Sequence, residues 1–337
     1  MELPKDLRDA LDTAVAGIAV RDLAAAVERL IGQYRAGGEP TEPILRSGAE
    51  VAAYAAYRMP ATFASMRAVL GQVVAARPGL RPRTHLDIGG GTGAAAWAAA
   101  EVFDTLSSVT VLDQVADALS WGERLARDAS APALRTATWR QAGVRGAFPR
   151  ADLATVSYVL GELSGPDQDD VVRRAAAAAD TVVIVEPGTP AGYQRVLAAR
   201  SVLLDLGLTV AAPCTHQHAC PLPAGRDWCH FAVRVNRSSL HRRIKHAALG
   251  YEDEKFSYVA AVPGPVAAAP GPVATGSGRV LRHPQSRKGL VMLQLCTSAA
   301  STAQELVSKR HGELYRAARD VEWGDTWPPA DQPDSVG

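Results

Sequence analysis

Apolar positions recur at helical spacing through the first eighty residues. Between residues 6 and 35 the apolar side chains fall three or four positions apart until Gly37-Gly38-Glu39-Pro40 interrupts the pattern, which predicts two helices. The same spacing returns over residues 48–77, where Pro60 either kinks one helix or separates two. We therefore predict a helical cap over residues 1–80.

Beyond residue 81 the pattern changes to short apolar runs that alternate with alanine-rich helical stretches. This alternation is typical of strand–helix–strand crossover units, whose strands form a parallel, doubly wound sheet. Because the alternation stops after residue 210, the crossover core is predicted to span residues 81–210. The predicted strands are His85–Ile88, Val109–Leu112, Leu153–Tyr158 and Thr181–Val185.

The remainder of the chain divides by composition. A Cys/His-rich and basic stretch occupies residues 211–250, and two further strand candidates, Lys255–Val262 and Gly289–Leu295, flank a loop rich in proline, glycine and alanine. We predict that residues 251–325 supply the last strands of the core. Residues 326–337 are predicted to form a disordered tail.

Composition and charge exclude several classes of protein. The 337 residues are 47% hydrophobic and 21% charged, which excludes a disordered or fibrous chain. Because 36 Lys and Arg nearly balance 35 Asp and Glu, a nucleic acid could be bound only through a local patch. No long uncharged apolar run occurs, and the first six residues lack the basic-then-apolar order of a secretory signal. We expect a cytoplasmic protein that does not contact a membrane.

A glycine-rich turn, Asp87-Ile88-Gly89-Gly90-Gly91-Thr92-Gly93, follows a predicted strand and precedes a helix-forming stretch. Such a turn lets a nucleotide-type ligand approach the backbone and the free amides of the helix. The pattern fits both NAD and S-adenosylmethionine, but a carboxylate before the first glycine favours S-adenosylmethionine, because it attracts an ammonium group and repels a pyrophosphate. Asp113, which ends the next strand, can accept both ribose hydroxyls. The predicted cofactor contacts are Asp87, Gly89, Gly91, Gly93 and Asp113.

Four cysteines lie in the last third of the chain: Cys214, Cys220, Cys229 and Cys296. Four thiols are the ligand set of a tetrathiolate zinc site or of a 4Fe-4S cluster. Structural zinc sites usually pair cysteines two to four residues apart, so the wider spacing here favours the cluster, while three nearby histidines leave a mixed Cys/His zinc site open. With the glycine turn, these motifs also allow an alternative function, an NAD-dependent oxidoreductase with structural zinc.

A basic stretch follows the cysteines. Residues 226–288 contain eleven Lys and Arg against four Asp and Glu, a net charge of +7. Over residues 239–249 the apolar positions share one helical face and the basic positions lie elsewhere, as in a helix that rests on phosphates. A solvated helix face is the alternative interpretation. The candidate RNA-binding residues are Arg237, Arg242, Arg243, Lys245 and Lys255.

Six stretches between residues 50 and 300 are specific in combination. They are Tyr57-Arg58-Met59-Pro60-Ala61-Thr62, Leu86–Gly93, Val159–Leu163, Val185-Glu186-Pro187-Gly188, Cys214–Phe231 and Glu254-Lys255-Phe256-Ser257-Tyr258. Together they resemble the family of methyltransferase-like proteins associated with the small ribosomal subunit, known as mitochondrial assembly factors and their bacterial relatives.

The resemblance implies a seven-stranded class I methyltransferase fold that binds S-adenosylmethionine and contacts small-subunit rRNA during assembly. It implies a 4Fe-4S cluster, in an insertion before the last two strands, on Cys214, Cys220, Cys229 and Cys296. Some members keep the fold without catalysis, so methyl transfer does not follow from membership. Glu162 and Glu186 are expected to face the pocket, but no residue is assigned a catalytic role. We expect a monomer when the protein is off the ribosome.

Overall fold

Four helices begin the chain, which a computed structural model describes over residues 1–36, 48–236, 250–264 and 277–329. Pro60 lies in the first turn of the fourth helix, where its missing N–H leaves no helical hydrogen bond unmade, so it separates two helices and does not kink one. The helices are α1 (Lys5–Val15), α2 (Val20–Ala36), α3 (Gly48–Tyr57) and α4 (Met59–Ala76).

Eight strands form the main sheet of the described residues, one more than the seven predicted. They are β1 (Thr84–Ile88), β2 (Ser108–Asp113), β3 (Thr138–Gln141), β4 (Ala151–Ser157), β5 (Ala179–Pro187), β6 (Leu208–Ala212), β7 (Phe231–Asn236) and β8 (Tyr251–Pro263). Their order is β3-β2-β1-β4-β5-β8-β6, and β7 pairs with β8 alone. The first five strands are parallel, and β8 is antiparallel to β5, β6 and β7. The sheet is therefore doubly wound, as predicted, with an antiparallel edge.

Helices cover both faces of this sheet, and side chains alternate between them: Leu153 of β4 packs under α4 and Val156 packs against the opposite layer. Because both faces are buried, the parallel strands read as continuous apolar runs. One face carries α4, α5 (Ala94–Val102), α6 (Ala116–Ala126) and α7 (Pro132–Arg135), and the other carries α8 (Gly165–Ala178) and α9 (Pro190–Asp205). Among the described helices, none has the length and apolar character that a membrane span requires.

A second, antiparallel sheet of five strands follows in the described residues. It contains β9 (Gly278–Val280), β10 (Gln285–Arg287), β11 (Leu290–Thr297), β12 (Thr302–Ser308) and β13 (Thr326–Trp327), and α10 (Glu313–Asp320) packs against it. The prediction that Gly289–Leu295 is a strand of the core is therefore wrong, since this segment forms β11. Val291, Leu293 and Leu295 are buried whereas the residues between them are more exposed, which is typical of an antiparallel sheet with one solvent face.

The cysteine-rich segment leaves and re-enters the main sheet at a gap in its edge. β6 pairs with one half of β8 and β7 with the other half, so the loop of residues 213–230 connects two strands that lie end to end. Ser257 Oγ of β8 donates to the Cys229 carbonyl at 2.7 Å, and Trp228 Nε1 donates to the Gly188 carbonyl at 2.9 Å. These bonds fix the loop against the sheet.

Candidate functional site

Close packing shapes the glycine turn between β1 and α5. Gly89, Gly91 and Gly93 have φ angles of +68°, +54° and +83°, a region in which other residues are strained. A Cβ on Gly89 would lie 2.4 Å from Val159 Cγ2, and one on Gly93 would lie 2.6 Å from the Trp139 ring. The backbone of the turn itself therefore requires glycine at these two positions.

A cleft of about 850 Å³, continuous with solvent, lies beside this turn at the point between β1 and β4 where the strand order reverses. Open α/β sheets bind their ligands at this point. The backbone N–H groups of Gly91 and Val115 donate to Asp113 Oδ2 and Oδ1, each at 2.8 Å, which leaves lone pairs on both oxygens for a ligand. The lining mixes polar and apolar groups, including Tyr54, Gly89, Gly91, Leu112, Asp113, Val144, Phe148, Tyr158 and Glu162.

Asp87 is fully buried beneath the turn and, like Gly93, does not line the cleft. Its Oδ1 accepts a hydrogen bond from Thr155 Oγ1 at 2.8 Å, and that hydroxyl lies 2.8 Å from His85 Nε2. Its Oδ2 has no partner among the described residues and would lie 2.5 Å from a Cβ on Gly90. Asp87 thus supports the turn from below, in contrast to the ligand contact that the sequence suggested.

The two glutamates expected to face the pocket occupy different environments. Glu162 lines the cleft, where burial and then the charge of Asp113 raise its pKa to about 7. Glu186 is buried and already partnered: its Oε1 accepts from the Leu160 N–H at 2.9 Å and its Oε2 from Arg195 Nε at 2.7 Å. Glu186 therefore ties the end of β5 to α9, and Glu162 is available to a ligand.

An ion pair that the sequence did not reveal joins two of the six specific stretches beside the cleft, those that contain Arg58 and Glu254. Arg58 donates to both carboxylate oxygens of Glu254, at 2.7 and 3.0 Å, and its guanidinium lies 4.7 Å from the centre of the Tyr158 ring. Tyr158 OH lies 3.0 Å from Ser65 Oγ and 3.2 Å from Glu254 Oε1. The φ of Tyr158 is +61°, a strained value at the end of β4. Arg58 and Glu254 each belong to one of the six stretches, but no spacing rule pairs positions 196 residues apart.

All four cysteines line one cavity between the two sheets, which we call the thiol cavity. Cys214 follows β6, Cys220 and Cys229 lie on the loop before β7, and Cys296 lies on β11. All four are free thiols. Within the part of the chain that the structure describes, no three His, Cys, Asp or Glu side chains are close enough to hold a single metal ion.

Two buried arginines flank the thiol cavity and are 5% exposed. Arg200 donates to two carbonyl oxygens of the cysteine loop, at 2.8 and 3.1 Å. Arg279 donates to the Pro213 carbonyl at 2.9 Å and to Gln72 Oε1 at 2.6 Å. Because these partners are neutral oxygens, the wall of the cavity keeps two positive charges that favour an anionic occupant.

Hydroxyl and imidazole groups also approach the sulfurs. Tyr193 OH lies 3.1 Å from Cys220 Sγ, and His216 Nε2 lies 3.5 Å from Cys296 Sγ. Tyr258 lines the cavity at 4% exposure, and its OH has no partner in the described residues. A buried hydroxyl without a partner is costly, so a hydrogen-bond acceptor in the cavity would stabilise it.

The surroundings of the thiols disfavour a catalytic cysteine. Burial raises the pKa of Cys214. Burial and the neighbouring sulfurs together raise the pKa of Cys229, and they raise the pKa of Cys296 to about 12. A nucleophilic or redox-active cysteine needs a lowered pKa. At neutral pH these thiols are protonated unless a bound cation stabilises their thiolates.

Most of the predicted RNA-binding residues lie outside the described residues. Arg237, Arg242, Arg243 and Lys245 fall within residues 237–249, which the structure does not describe. Lys255 is described: it is exposed on β8, opposite Ala232 of β7.

The raised carboxyl pKa values predict that the cofactor-free protein loses stability as the pH rises from about 4 to 7. Burial raises the pKa of Asp87 to about 7, whereas in the unfolded chain the group ionises near 4. A raised acid pKa adds stability at low pH, and that stability is lost between the two values. In thermal melts, Asp87→Asn should remove part of this decline, with Glu162 supplying another part. Asp180→Asn, at an exposed carboxylate, should keep the full decline; an Asp87→Asn profile parallel to that control would contradict the prediction.

Comparison with known protein families gives one extended match. The profile of a family described as mitochondrial small ribosomal subunit Rsm22 matches residues 48–328, which include both the cleft and the thiol cavity.

Curated relatives show the same similarity. The chain is 29% identical over 293 residues to the human ribosome assembly protein METTL17, mitochondrial, covering 82% of this chain and 62% of that protein. It is 24% identical over 189 residues to Rsm22-cox11 tandem protein 2, mitochondrial, of Schizosaccharomyces pombe, covering 44% of this chain and 24% of that protein. The chain thus spans less than two thirds of the length of these relatives.

Solved structures give weaker likenesses. A magnesium protoporphyrin IX methyltransferase from Synechocystis with bound S-adenosylmethionine has a TM-score of 0.41 and 13% identity, covering 74% of this chain and all of that chain. A methyltransferase from Aquifex aeolicus has a TM-score of 0.40 and 15% identity, covering 65% of this chain and all of that one. These likenesses are too weak to bear on the function of this chain.

The names of the family and relatives contradict the prediction of a cytoplasmic location, because all are described as mitochondrial. The prediction relied on the lack of a secretory signal and of a long apolar run. A mitochondrial transit peptide is amphipathic and rich in arginine, so neither observation bears on it.

Proposed function

Because the chain belongs to the family of mitochondrial small ribosomal subunit Rsm22 proteins, as its motifs predicted, we propose that it binds small-subunit rRNA and assists the assembly of that subunit. The family match over residues 48–328 carries this proposal. The human relative, named a ribosome assembly protein, matches 82% of this chain and supports the same role.

The cleft beside the glycine turn is proposed to hold S-adenosylmethionine. Asp113 offers the free lone pairs of both oxygens to the ribose hydroxyls, and Glu162 offers a carboxylate to the ammonium group in place of the buried Asp87. Leu112, Val144 and Phe148 supply apolar surface for the adenine. When bound, this cofactor carries an activated methyl group on its sulfonium.

The position of Asp87 argues against NAD in the same cleft. Burial raises the pKa of Asp87, and the backbone N–H of Ala96, in the first turn of α5, lowers it by a smaller amount. A carboxylate thus lies near the helix amides that would otherwise bind a pyrophosphate. When Asp87 is ionised it would repel a pyrophosphate at this terminus, which supports a cationic amino-acid group over a dinucleotide.

The thiol cavity is proposed to hold a 4Fe-4S cluster on Cys214, Cys220, Cys229 and Cys296. Four thiolates around an iron–sulfur core leave a net negative charge, which Arg200 and Arg279 would offset from the cavity wall. The Tyr193 hydroxyl, 3.1 Å from Cys220 Sγ, would donate to that sulfur, and such bonds adjust the reduction potential of a cluster. The hydroxyl of Tyr258 in the same cavity has no partner among the described residues and would gain one from an acceptor there. The group would join the second sheet to the main sheet through Cys296.

Purified protein is expected to sediment with small ribosomal subunits, and to retain radiolabelled S-adenosylmethionine, when the two are mixed and separated on a density gradient. Large subunits serve as the control and should not bind. Label transferred to rRNA would show an enzyme, and label that stays with the protein would show a factor that binds the cofactor without transfer. Failure to sediment with the small subunit would contradict the assembly role.

Two glycine variants test whether the retained S-adenosylmethionine is bound in the cleft. Gly89→Ala places a Cβ against Val159 at the cleft, so retained label should fall at least about tenfold, a loss of about 1.4 kcal/mol in binding. Gly207→Ala imposes the same backbone strain, at a φ of +81°, but its Cβ has no atom within 4 Å. Equal retention of label by the two variants would contradict the assignment of the cleft.

A further inference from the structure

A cluster of positive side chains lies at one end of the second sheet, away from the cysteines. It consists of Arg287, Lys288, Lys309, Arg310 and His311, which we call the basic end, and all five residues are exposed. Arg287 and Lys288 lie on the turn from β10 to β11, and the other three follow β12. Only the first two belong to the basic stretch of residues 226–288.

The positive charges of the basic end are gathered on adjacent turns without nearby carboxylates. Some exposed arginines elsewhere pair with carboxylates, as Arg145 does with Asp167 at 2.9 Å and Arg150 with Asp180 at 3.0 Å. At the basic end, no lysine or arginine has a carboxylate within 4.0 Å among the residues that the structure describes, and the charges lie on two turns that a backbone hydrogen bond joins. Like charges gathered without counter-charges repel one another, and a polyanion relieves that repulsion.

Hydrogen bonds hold the two turns of the basic end together. Residues 288 and 289 form a two-residue hairpin loop, since Arg287 pairs with Leu290, and Gly289 has a φ of +81°. The Lys309 N–H donates to the Gly289 carbonyl at 3.1 Å, and His311 Nδ1 accepts from the Ser308 N–H at 3.0 Å. The backbone that carries the charges is therefore organised before any ligand binds, which reduces the entropic cost of binding.

The basic end also has a fixed relation to the thiol cavity. Strand β11 runs from Leu290, at the basic end, to Cys296, in the cavity wall. Six steps along an antiparallel strand span about 20 Å. A ligand at the basic end would thus be held at a set distance from the main sheet.

We propose that the basic end binds the phosphate backbone of a structured RNA, as a contact separate from the undescribed basic segment of residues 237–249. This inference rests on the proposed function, which supplies RNA as the polyanion. Lysine and arginine contacts to phosphate fix the position of a protein on RNA without reading its sequence. The basic end therefore acts as an orienting contact, and it adds to affinity equally for different sequences.

The test compares two fourfold variants of the full chain. The first carries Arg287→Gln, Lys288→Gln, Lys309→Gln and Arg310→Gln, and the matched control carries glutamine at four exposed arginines elsewhere: Arg8, Arg81, Arg127 and Arg173. Binding to a fluorescent rRNA stem-loop is measured by anisotropy from 0.05 to 0.3 M salt. The first variant should bind about 10- to 100-fold more weakly at low salt, and its salt slope should fall by about one unit per lost phosphate contact. The control should change much less in both.

Each other result overturns the proposal in a distinct way. If the wild type binds the stem-loop and the two variants behave alike, the basic end is not an RNA contact, although the proposed function stands. If the wild type binds no RNA, the proposed function fails together with this inference. If the first variant loses affinity for phosphatidylserine vesicles as much as for RNA, the basic end is a general anionic surface and not an RNA contact.

Discussion

Cys296→Ser is expected to remove most of the iron and acid-labile sulfide from protein purified without oxygen, and to lower its thermal midpoint by about 4 °C. Cys296 is the one cavity cysteine on the second sheet, so its loss would break the link that the proposed cluster makes between the sheets. The binding energy of a structural metal group contributes directly to folding. At an unfolding entropy of about 2.1 cal/mol/K per residue, a loss of about 3 kcal/mol moves the midpoint of a 337-residue chain by about 4 °C. Colorimetric iron and sulfide assays, with a parallel thermal melt, measure both effects.

Tyr193→Phe is the matched control for this experiment. It removes a hydroxyl 3.1 Å from Cys220 Sγ but no ligand, so it should retain iron and sulfide. A Cys296→Ser protein with full iron content would contradict the ligand set. Wild-type protein that is colourless and contains zinc without sulfide would contradict the cluster itself.

Glu254→Ala is expected to lower the free energy of unfolding by about 3 kcal/mol. The side chains of Glu254 and Arg58 are only 14% and 24% exposed, and the two carboxylate oxygens accept hydrogen bonds from Nη1 and Nη2 of the guanidinium. Removing one partner leaves a charge in a site from which water is largely excluded, a change that typically costs about 3–5 kcal/mol in buried pairs. Tyr158 would also lose the carboxylate that holds its hydroxyl. Urea denaturation followed by circular dichroism measures the change.

Asp180→Ala provides a comparison with an exposed ion pair. Asp180 and Arg150 are 60% and 69% exposed, and pairs of this kind contribute about 1 kcal/mol at most. The two variants should therefore differ by about 2 kcal/mol or more. Equal loss in both would mean that the pair of Arg58 and Glu254 is solvated in solution and has no structural role.

The alternating core could be predicted from the sequence because its signals are local. A parallel strand buried on both faces reads as an unbroken apolar run, and Thr181–Val185 falls within β5 for this reason. The glycine turn has a steric signature, since Gly89 and Gly93 leave no room for a side chain. The apolar run is set by neighbouring residues, which a single sequence displays. The glycine turn is visible because the glycines themselves are clustered, although the atoms that exclude a side chain there belong to the distant Val159 and Trp139.

Strand partners are set by contacts between distant residues, which explains the errors. The alternation of Phe231, Val233 and Val235 fits a strand with one buried face, but the adjacent cysteines led us to assign the region to an insertion. The pattern of β11 was equally clear, yet it identifies the buried face of a strand and not the sheet that the strand joins.

The candidate site was predicted at the level of elements and less well at the level of side chains. The sequence placed Asp113 and Glu162 near a pocket, and both line the cleft. It also gave Asp87 a ligand contact, because a carboxylate before a glycine turn suggests charge recognition. Whether the side chain of a strand residue faces a cleft or the core depends on the pleat of that strand relative to its neighbours, and a single sequence does not show this. In the structure, the side chain of Asp87 faces the core and is fully buried.

Asn236 and Tyr251 pair directly across β7 and β8, so the chain that joins them starts and finishes at adjacent points on the rim of the main sheet. Lengthening such a connection costs little entropy and leaves the registers of both strands unchanged. Homologues can therefore differ in length between residues 236 and 251, and a reporter domain can be inserted there, without displacing the cysteine loop or the cleft.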